Sequence, residues 1–181
     1  MIGTVYIATS VDGFIAREDG GIDWLPGVGD AGTEDYGYHE FIDTVDAIVM
    51  GRTSYEMALS FGAWPYGEKP VVVLSSRPVA IGKDIARTVE SMNAPPQEVM
   101  ERLAGRGWRH LYIVGGKTIQ GFLREDLIHR LIITKVPILL GTGIPLFGPL
   151  PHEIHLQHLE TRPFENGLVQ SHYEVRRNFA G

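Results

Sequence analysis

The chain contains no cysteine, which excludes disulfides, thiolate nucleophiles, iron–sulfur clusters and the common structural zinc sites. A reducing cytoplasm suits such a sequence. No apolar run reaches the roughly 18 residues that a membrane helix needs, and the opening MIGTVYIATS has no basic leader, so the expected protein is neither exported nor membrane-bound. Positive charge is not in excess: 16 Lys and Arg stand against 22 Asp and Glu, for a formal net charge of -6. That balance argues against nucleic acid or an anionic membrane as the partner, since both need a clustered basic face. Also missing are a P-loop and a Rossmann fingerprint in the turn directly after the first strand. Any dinucleotide site must be of another design.

What is present is ample apolar material: 44% of 181 residues is hydrophobic, enough for one large core. No repeat or low-complexity run divides the chain, so a single domain over residues 1–181 is expected. Ile2 to Thr9 reads as a first buried strand, followed by a glycine-rich loop from Val11 through Gly32 and a helix from about Thr33 to Thr44. Ala47–Met50 and Val71–Leu74 are short continuous apolar runs of the kind found in central parallel strands. Between them, Thr53-Ser54-Tyr55-Glu56 fits a capping box and predicts a helix start.

Ile85 to Val89 reads as a weaker strand. Pro95-Pro96 opens a helix to about Gly105, His110–Val114 is another central strand, and Gly115-Gly116 leads into a helix ending near Leu123. Leu127 to Val136 is strand-like. Ile154–Thr161 and Leu168–Arg176 form a hairpin through Glu165-Asn166-Gly167, because Asn-Gly tolerates the positive φ of a tight turn. The pattern predicts an α/β fold, a mostly parallel central sheet flanked by helices with an antiparallel hairpin at its C-terminal edge. Ligands of such sheets bind at the carboxyl ends of the strands.

Three of those ends carry residues suited to a dinucleotide. Gly51-Arg52-Thr53 combines close backbone approach, free helix amides and a fixed positive charge. Leu74-Ser75-Ser76-Arg77 offers two hydroxyls and a second arginine. Val114-Gly115-Gly116-Lys117-Thr118 is a glycine turn feeding a helix N-terminus. Each is also readable as an ordinary strand-to-helix turn; their order and spacing make the combined case.

Taken together, Ser10-Val11-Asp12-Gly13-Phe14-Ile15-Ala16, Val49-Met50-Gly51-Arg52-Thr53-Ser54-Tyr55-Glu56, Val73-Leu74-Ser75-Ser76 and Ile113-Val114-Gly115-Gly116 resemble the dihydrofolate reductase superfamily along essentially the whole chain. Pro137-Ile138-Leu139-Leu140-Gly141-Thr142-Gly143-Ile144-Pro145-Leu146-Phe147 is similar to the signature of its riboflavin-biosynthesis reductase branch. The resemblance implies a dihydrofolate reductase-like fold, an NADPH-dependent reductase of a small metabolite, and a homodimer. It implies that Gly51, Arg52 and Thr53 hold cofactor phosphates, that Leu74, Ser75, Ser76 and Arg77 hold the adenine ribose with its 2′-phosphate, and that Val114 and Gly115 through Ile119 hold the pyrophosphate and nicotinamide side. A cis Gly115–Gly116 bond is frequent in that family. Ala8, Ile15 and Ala16 would line the nicotinamide pocket, with Asp12 to Trp24 as a flap. Two arginines near the ribose favour NADPH over NADH.

The substrate reading leaves alternatives open. Asp35 falls at about the position of the folate enzymes' acid and Trp24 near their flap tryptophan, but Thr33-Glu34-Asp35 reads equally as a helix cap. Asp12 is either a substrate or flap residue or a turn residue after a strand. Lys135 could reach a substrate phosphate or be an exposed strand lysine. Trp64 and Tyr66 suit core packing or a dimer contact as well as a substrate platform. His152, His155 and His158 are three apart, but in a strand His155 and His158 would face opposite ways, so no metal site is expected. The zinc deaminase domain that often accompanies riboflavin reductases needs cysteine ligands, so the chain is read as reductase only.

Overall fold

The computed structural model describes residues 1–26 and 34–176. The apolar runs are the sheet. Ile2–Ser10 (β1), Ala47–Gly51 (β3), Val71–Leu74 (β4), Val89–Met92 (β5), His110–Val114 (β6) and Arg130–Val136 (β7) form its parallel part, and Leu156–Pro163 (β9) and Val169–Val175 (β10) add two antiparallel strands. The order is β5-β4-β3-β6-β1-β7-β10-β9. Phe14–Ala16 (β2) and Ile144–Pro145 (β8) make a separate two-stranded sheet. The helices are Tyr38–Asp43 (α1), Arg52–Ser60 (α2), Pro96–Gly105 (α3) and Gly116–Arg124 (α4).

The central strands bury both faces, as their unbroken Val/Ile/Leu runs require: Ala47, Ile48, Val49, Met50, Val71, Val72 and Val73 are fully inaccessible. One core lies beneath α3 and α4 and contains Val5, Val49, Leu111, Leu131 and Phe122. A second, on the α1 and α2 face, contains Phe41, Ile48, Met50, Tyr55, Val73 and Tyr112. The odd residues of β1 enter the first and the even residues face the second, the period-two rule of a strand.

Several boundaries differ from the sequence reading. The Ile85–Val89 strand is a turn, with the amides of Thr88 and Val89 both donating to the Ile85 carbonyl, and the strand begins only at Val89. The capping box at Thr53 does not form: β3 passes straight into α2 with Gly51 as N-cap, leaving Thr53 inside the first turn and exposed, while Glu56 pairs with Arg52 at 3.4 Å. The first helix starts at Tyr38 rather than Thr33, a residue outside those described. The Gly115–Gly116 peptide is trans, and Gly115 makes its turn through φ 93 instead.

Candidate functional site

The carboxyl ends of β3, β4 and β6 lie side by side, with Gly51 opposite Leu74 and Met50 opposite Val114. From two of them a helix departs at once, α2 from Gly51 and α4 from Gly115. Neither helix has a side-chain cap or an acid in its first turn, so the leading amides of both are left for something else. α3, which follows β5 at the same carboxyl edge, differs in carrying Glu98 in its first turn. The pair is a positive pole with no acid in either first turn, which is the arrangement that binds phosphate.

Glycine is what lets the two helices converge. A Cβ on Gly51 would stand 2.9 Å from Thr118 Oγ1, and one on Gly115 2.4 Å from Ser54 Oγ. Ser54, which sequence reasoning did not single out, therefore belongs to the same cluster; its position inside a capping-box pattern hid it. Arg52 is half-buried at this pole, whereas Thr53, Ser76, Arg77 and Lys117 are exposed around it. The Ser75 hydroxyl donates to the Arg77 carbonyl at 2.7 Å and accepts from the Arg77 amide at 3.1 Å, so it shapes the turn that presents Arg77. Ile119 is fully buried in the core beneath α4 and supports the site from below.

The segment after β1 closes over this pole. β2 pairs with β8, joining Phe14 to Pro145 and Ala16 to Ile144, and a Cβ on Gly116 would meet Ile15 Cδ1 at 2.9 Å. Ile15 thus reaches the start of α4, while Ala16 is buried in its pairing with Ile144. Trp24, further along, has a buried indole N–H without a partner among the described residues; such an orphan donor costs about 1–3 kcal/mol, and an acceptor on a ligand would satisfy it.

Asp12 reaches across the loop after β7, accepting from the Leu140 amide at 3.1 Å and the Gly141 amide at 2.8 Å. The Ser10 hydroxyl and these amides hold its carboxyl below the ordinary range. Asp35 accepts from the amides of His39 and Gly37, each at 3.0 Å, and from His39 Nδ1 at 2.6 Å. Those contacts, led by the His39 amide, lower its pKa to about 2. It caps α1 and stays ionised. Ala8 pairs with Thr134 on the α1 side of the sheet; Lys135 pairs with Thr9, so it starts from the opposite face and is exposed.

A network on the Ala8 side was not foreseen. Buried Gln170 on β10 donates to Thr134 Oγ1 at 3.0 Å, to the Tyr36 carbonyl at 3.1 Å and to the Tyr6 hydroxyl at 3.3 Å. Beyond it lies a groove of about 530 Å³ between α1 and the C-terminal hairpin, with Glu40, Arg130, Arg162 and His172 in its walls. The three histidines flagged in the sequence have separate partners: His152 meets Asp126 at 3.1 Å, His155 meets Glu153 at 2.9 Å and His158 meets Thr161 at 2.7 Å. Among the described residues no cluster of three His, Asp or Glu side chains could hold a metal ion, and no helix is long and apolar enough to cross a membrane. A G-x-G-x-x-G spacing does occur at Gly27-Val28-Gly29-Asp30-Ala31-Gly32, but β2 separates it from β1, so it is not the turn after a strand, and it lies outside the described residues.

An eight-stranded sheet in this order, with two bare helix poles at its carboxyl edge, defines a dihydrofolate reductase-like fold. The Enterococcus faecalis dihydrofolate reductase, solved with NADP(H), superposes with a TM-score of 0.64 at 17% identity, over 97% of each chain. Residues 2–170 match the RibD C-terminal domain, and the chain belongs to that family. It is 37% identical to the uncharacterized Bacillus subtilis protein YwjB over 171 residues, covering 93% of this chain and 95% of YwjB. A crystal structure from Shewanella sp. PV-4, of a protein assigned to riboflavin biosynthesis without proof of activity, matches with a TM-score of 0.90 and 39% identity, over 98% of this chain and all of that one.

Proposed function

We propose that this protein is an NADPH-dependent reductase that transfers hydride to a small metabolite, of the 5-amino-6-(5-phosphoribosylamino)uracil type. The observation that carries the reading is the pair of uncapped, acid-free helix N-termini of α2 and α4 at adjacent strand ends, packed together by Gly51 and Gly115. That geometry fits a pyrophosphate. Gly51, Arg52 and Thr53 with Val114 to Thr118 would hold it, and Ser75, Ser76 and Arg77 the ribose 2′-phosphate. Bound there, the cofactor supplies hydride from its nicotinamide, and the protein's part is to orient and enclose. Ala8, Ile15 and Ala16 would form the nicotinamide wall, with the β2–β8 flap excluding water. Trp24 would donate its orphan N–H to the substrate, and Lys135, exposed near the carboxyl end of β7, would be available for a substrate phosphate.

Asp35 and Asp12 are reassigned within this reading. Asp35, held low by the His39 and Gly37 amides, is a poor proton donor at neutral pH, and in this reading water supplies the proton while both acids position. We also propose a homodimer, because β9 is exposed along its whole length, Leu156 and Leu159 included, and an open edge strand is a natural pairing surface.

Fluorescence titration with NADPH and NADH tests the proposal. NADPH should bind more tightly. Arg52→Ala should weaken both cofactors by about tenfold, the worth of one charge-assisted hydrogen bond. Arg77→Ala should remove only the preference. Failure to bind either cofactor would sink the reductase reading, and cofactor binding with no oxidation by any pyrimidine or pterin substrate would leave a nucleotide-binding module.

A further inference from the structure

Tyr36 has φ 56, a left-handed conformation seldom taken by any residue other than glycine, asparagine or aspartate. It lies between Asp35 and Gly37, itself at φ 84, in the turn that starts α1. Three separate parts of the chain hold it there. The Tyr6 hydroxyl of β1 donates to the Tyr36 carbonyl at 2.8 Å, and Gln170 of β10 donates to the same oxygen at 3.1 Å. Asn166, in the hairpin turn, donates to the Tyr36 hydroxyl at 2.7 Å. The Phe164 ring meets the Tyr36 ring edge-on at 4.9 Å. Gln170 is only 4% exposed, and His172 Nε2 lies 3.0 Å from its side-chain oxygen, so its amide is fixed in orientation.

The turn held in this way is one wall of the Ala8 side of the sheet. Tyr6 and Ala8 are two residues apart on one face of β1, and the charges of Asp35 and Glu34 are close enough to add to the burial that pushes the Tyr6 hydroxyl up to about 12. Backbone strain that is over-determined by its surroundings gathers where a group must be held in place. We propose that Gln170, acting with Tyr6 on the Tyr36 carbonyl, is a positioning residue for the substrate side of the cleft, the C-terminal hairpin fixing where the Asp35 carboxylate stands. The hairpin is then part of the substrate side through Gln170, which reaches the Tyr36 carbonyl and Thr134. The proposal rests on the reductase reading for what the cleft is used for, and on geometry alone for the clamp.

Carboxyl-detected NMR titration of the full chain tests it without cofactor or substrate. In the wild type Asp35 should titrate at about 2. In Gln170→Leu it should rise toward the ordinary carboxylate value of about 3.9, with a smaller rise in Tyr6→Phe, which removes one of the two donors and leaves the fold less disturbed. Tyr36→Gly, which takes a left-handed φ without cost and keeps the carbonyl, should leave Asp35 low. Asp12, bound to a different loop, should not move in any variant. An unmoved Asp35 in Gln170→Leu and Tyr6→Phe would overturn the clamp, as would a rise in Tyr36→Gly or a rise of Asp12 in parallel, which would mean general loosening. Wild-type protein that failed to bind NADPH would remove the reductase reading and leave this comparison intact.

Discussion

A carboxylate that accepts two backbone amide protons is fixed in place by the fold, and this is the position of both Asp12 and Asp35. Asp12 joins the turn after β1 to the loop after β7 through the amides of Leu140 and Gly141. Asp12→Ala should therefore speed hydrogen exchange at Leu140, Gly141 and the β2 amides while leaving β3 and β6 protected; unchanged exchange at Leu140 and Gly141 would show that the clamp does not persist in solution. Why an aspartate stands before Gly13 was legible only as a choice between turn and ligand. Its two amide partners, Leu140 and Gly141, are more than a hundred residues away, and no local pattern encodes them. Asp35 was more readable, since an acid ahead of a helix has a local use in capping its amides, and capping is what its two oxygens do.

At the scale of elements, what decides legibility is whether the driving force is local. The central strands declared themselves by burial on both faces, and α3 by its prolines. β2 and β8 did not, being three and two residues long and paired with each other across more than a hundred residues of sequence. β5 was misplaced because Ile85 is buried through a turn rather than through a strand, so its apolar side chain pointed to the wrong stretch. The glycines of α4 separate two kinds of constraint. Gly115 has φ 93, and its Cβ would lie 2.4 Å from Ser54 Oγ, so Gly115→Ala should cost about 1–3 kcal/mol and weaken cofactor binding by forcing α2 and α4 apart. Gly121, in the same helix, has only ordinary contacts around its missing Cβ, the nearest Pro96 Cγ at 3.7 Å. Gly121→Ala should stabilise by about 0.5–1 kcal/mol. Urea unfolding of the two variants reads both signs; equal effects would mean that helix propensity, not the approach of α2, governs Gly115.

For the whole molecule, the alternation of strands and helices was enough to anticipate the sheet and its antiparallel edge, and the charge excess of acid has a consequence that follows from where the acids are. Asp46 accepts from the amides of Arg109 and His110, which lower its pKa; the guanidinium of Arg17 lowers that of Asp23; Asp12 and Asp35 are lowered as described. Each of these groups binds its proton more weakly folded than unfolded. Their contribution to stability is thus complete above the unfolded value of about 3.9 and is lost as pH falls through the folded values, Asp35 last at about 2.

His110 acts in the same direction at higher pH. Nδ1 donates to the Thr44 carbonyl at 2.9 Å, so in the neutral ring Nε2 accepts from the Thr4 hydroxyl at 2.7 Å, and partial burial lowers its pKa. The folded state favours the neutral imidazole, so stability from this group is present above about 6.5 and declines below it as the unfolded chain takes up the proton. Urea midpoints measured across pH should show a shallow decline beginning below about 6.5 and a steeper one below about 4. His110→Gln should lower the midpoint at neutral pH and remove the first decline while leaving the second. If the upper decline survives in that variant, another group is responsible, and the Thr4–His110–Thr44 bridge between β1, β6 and the end of α1 is not a neutral imidazole bridge in solution.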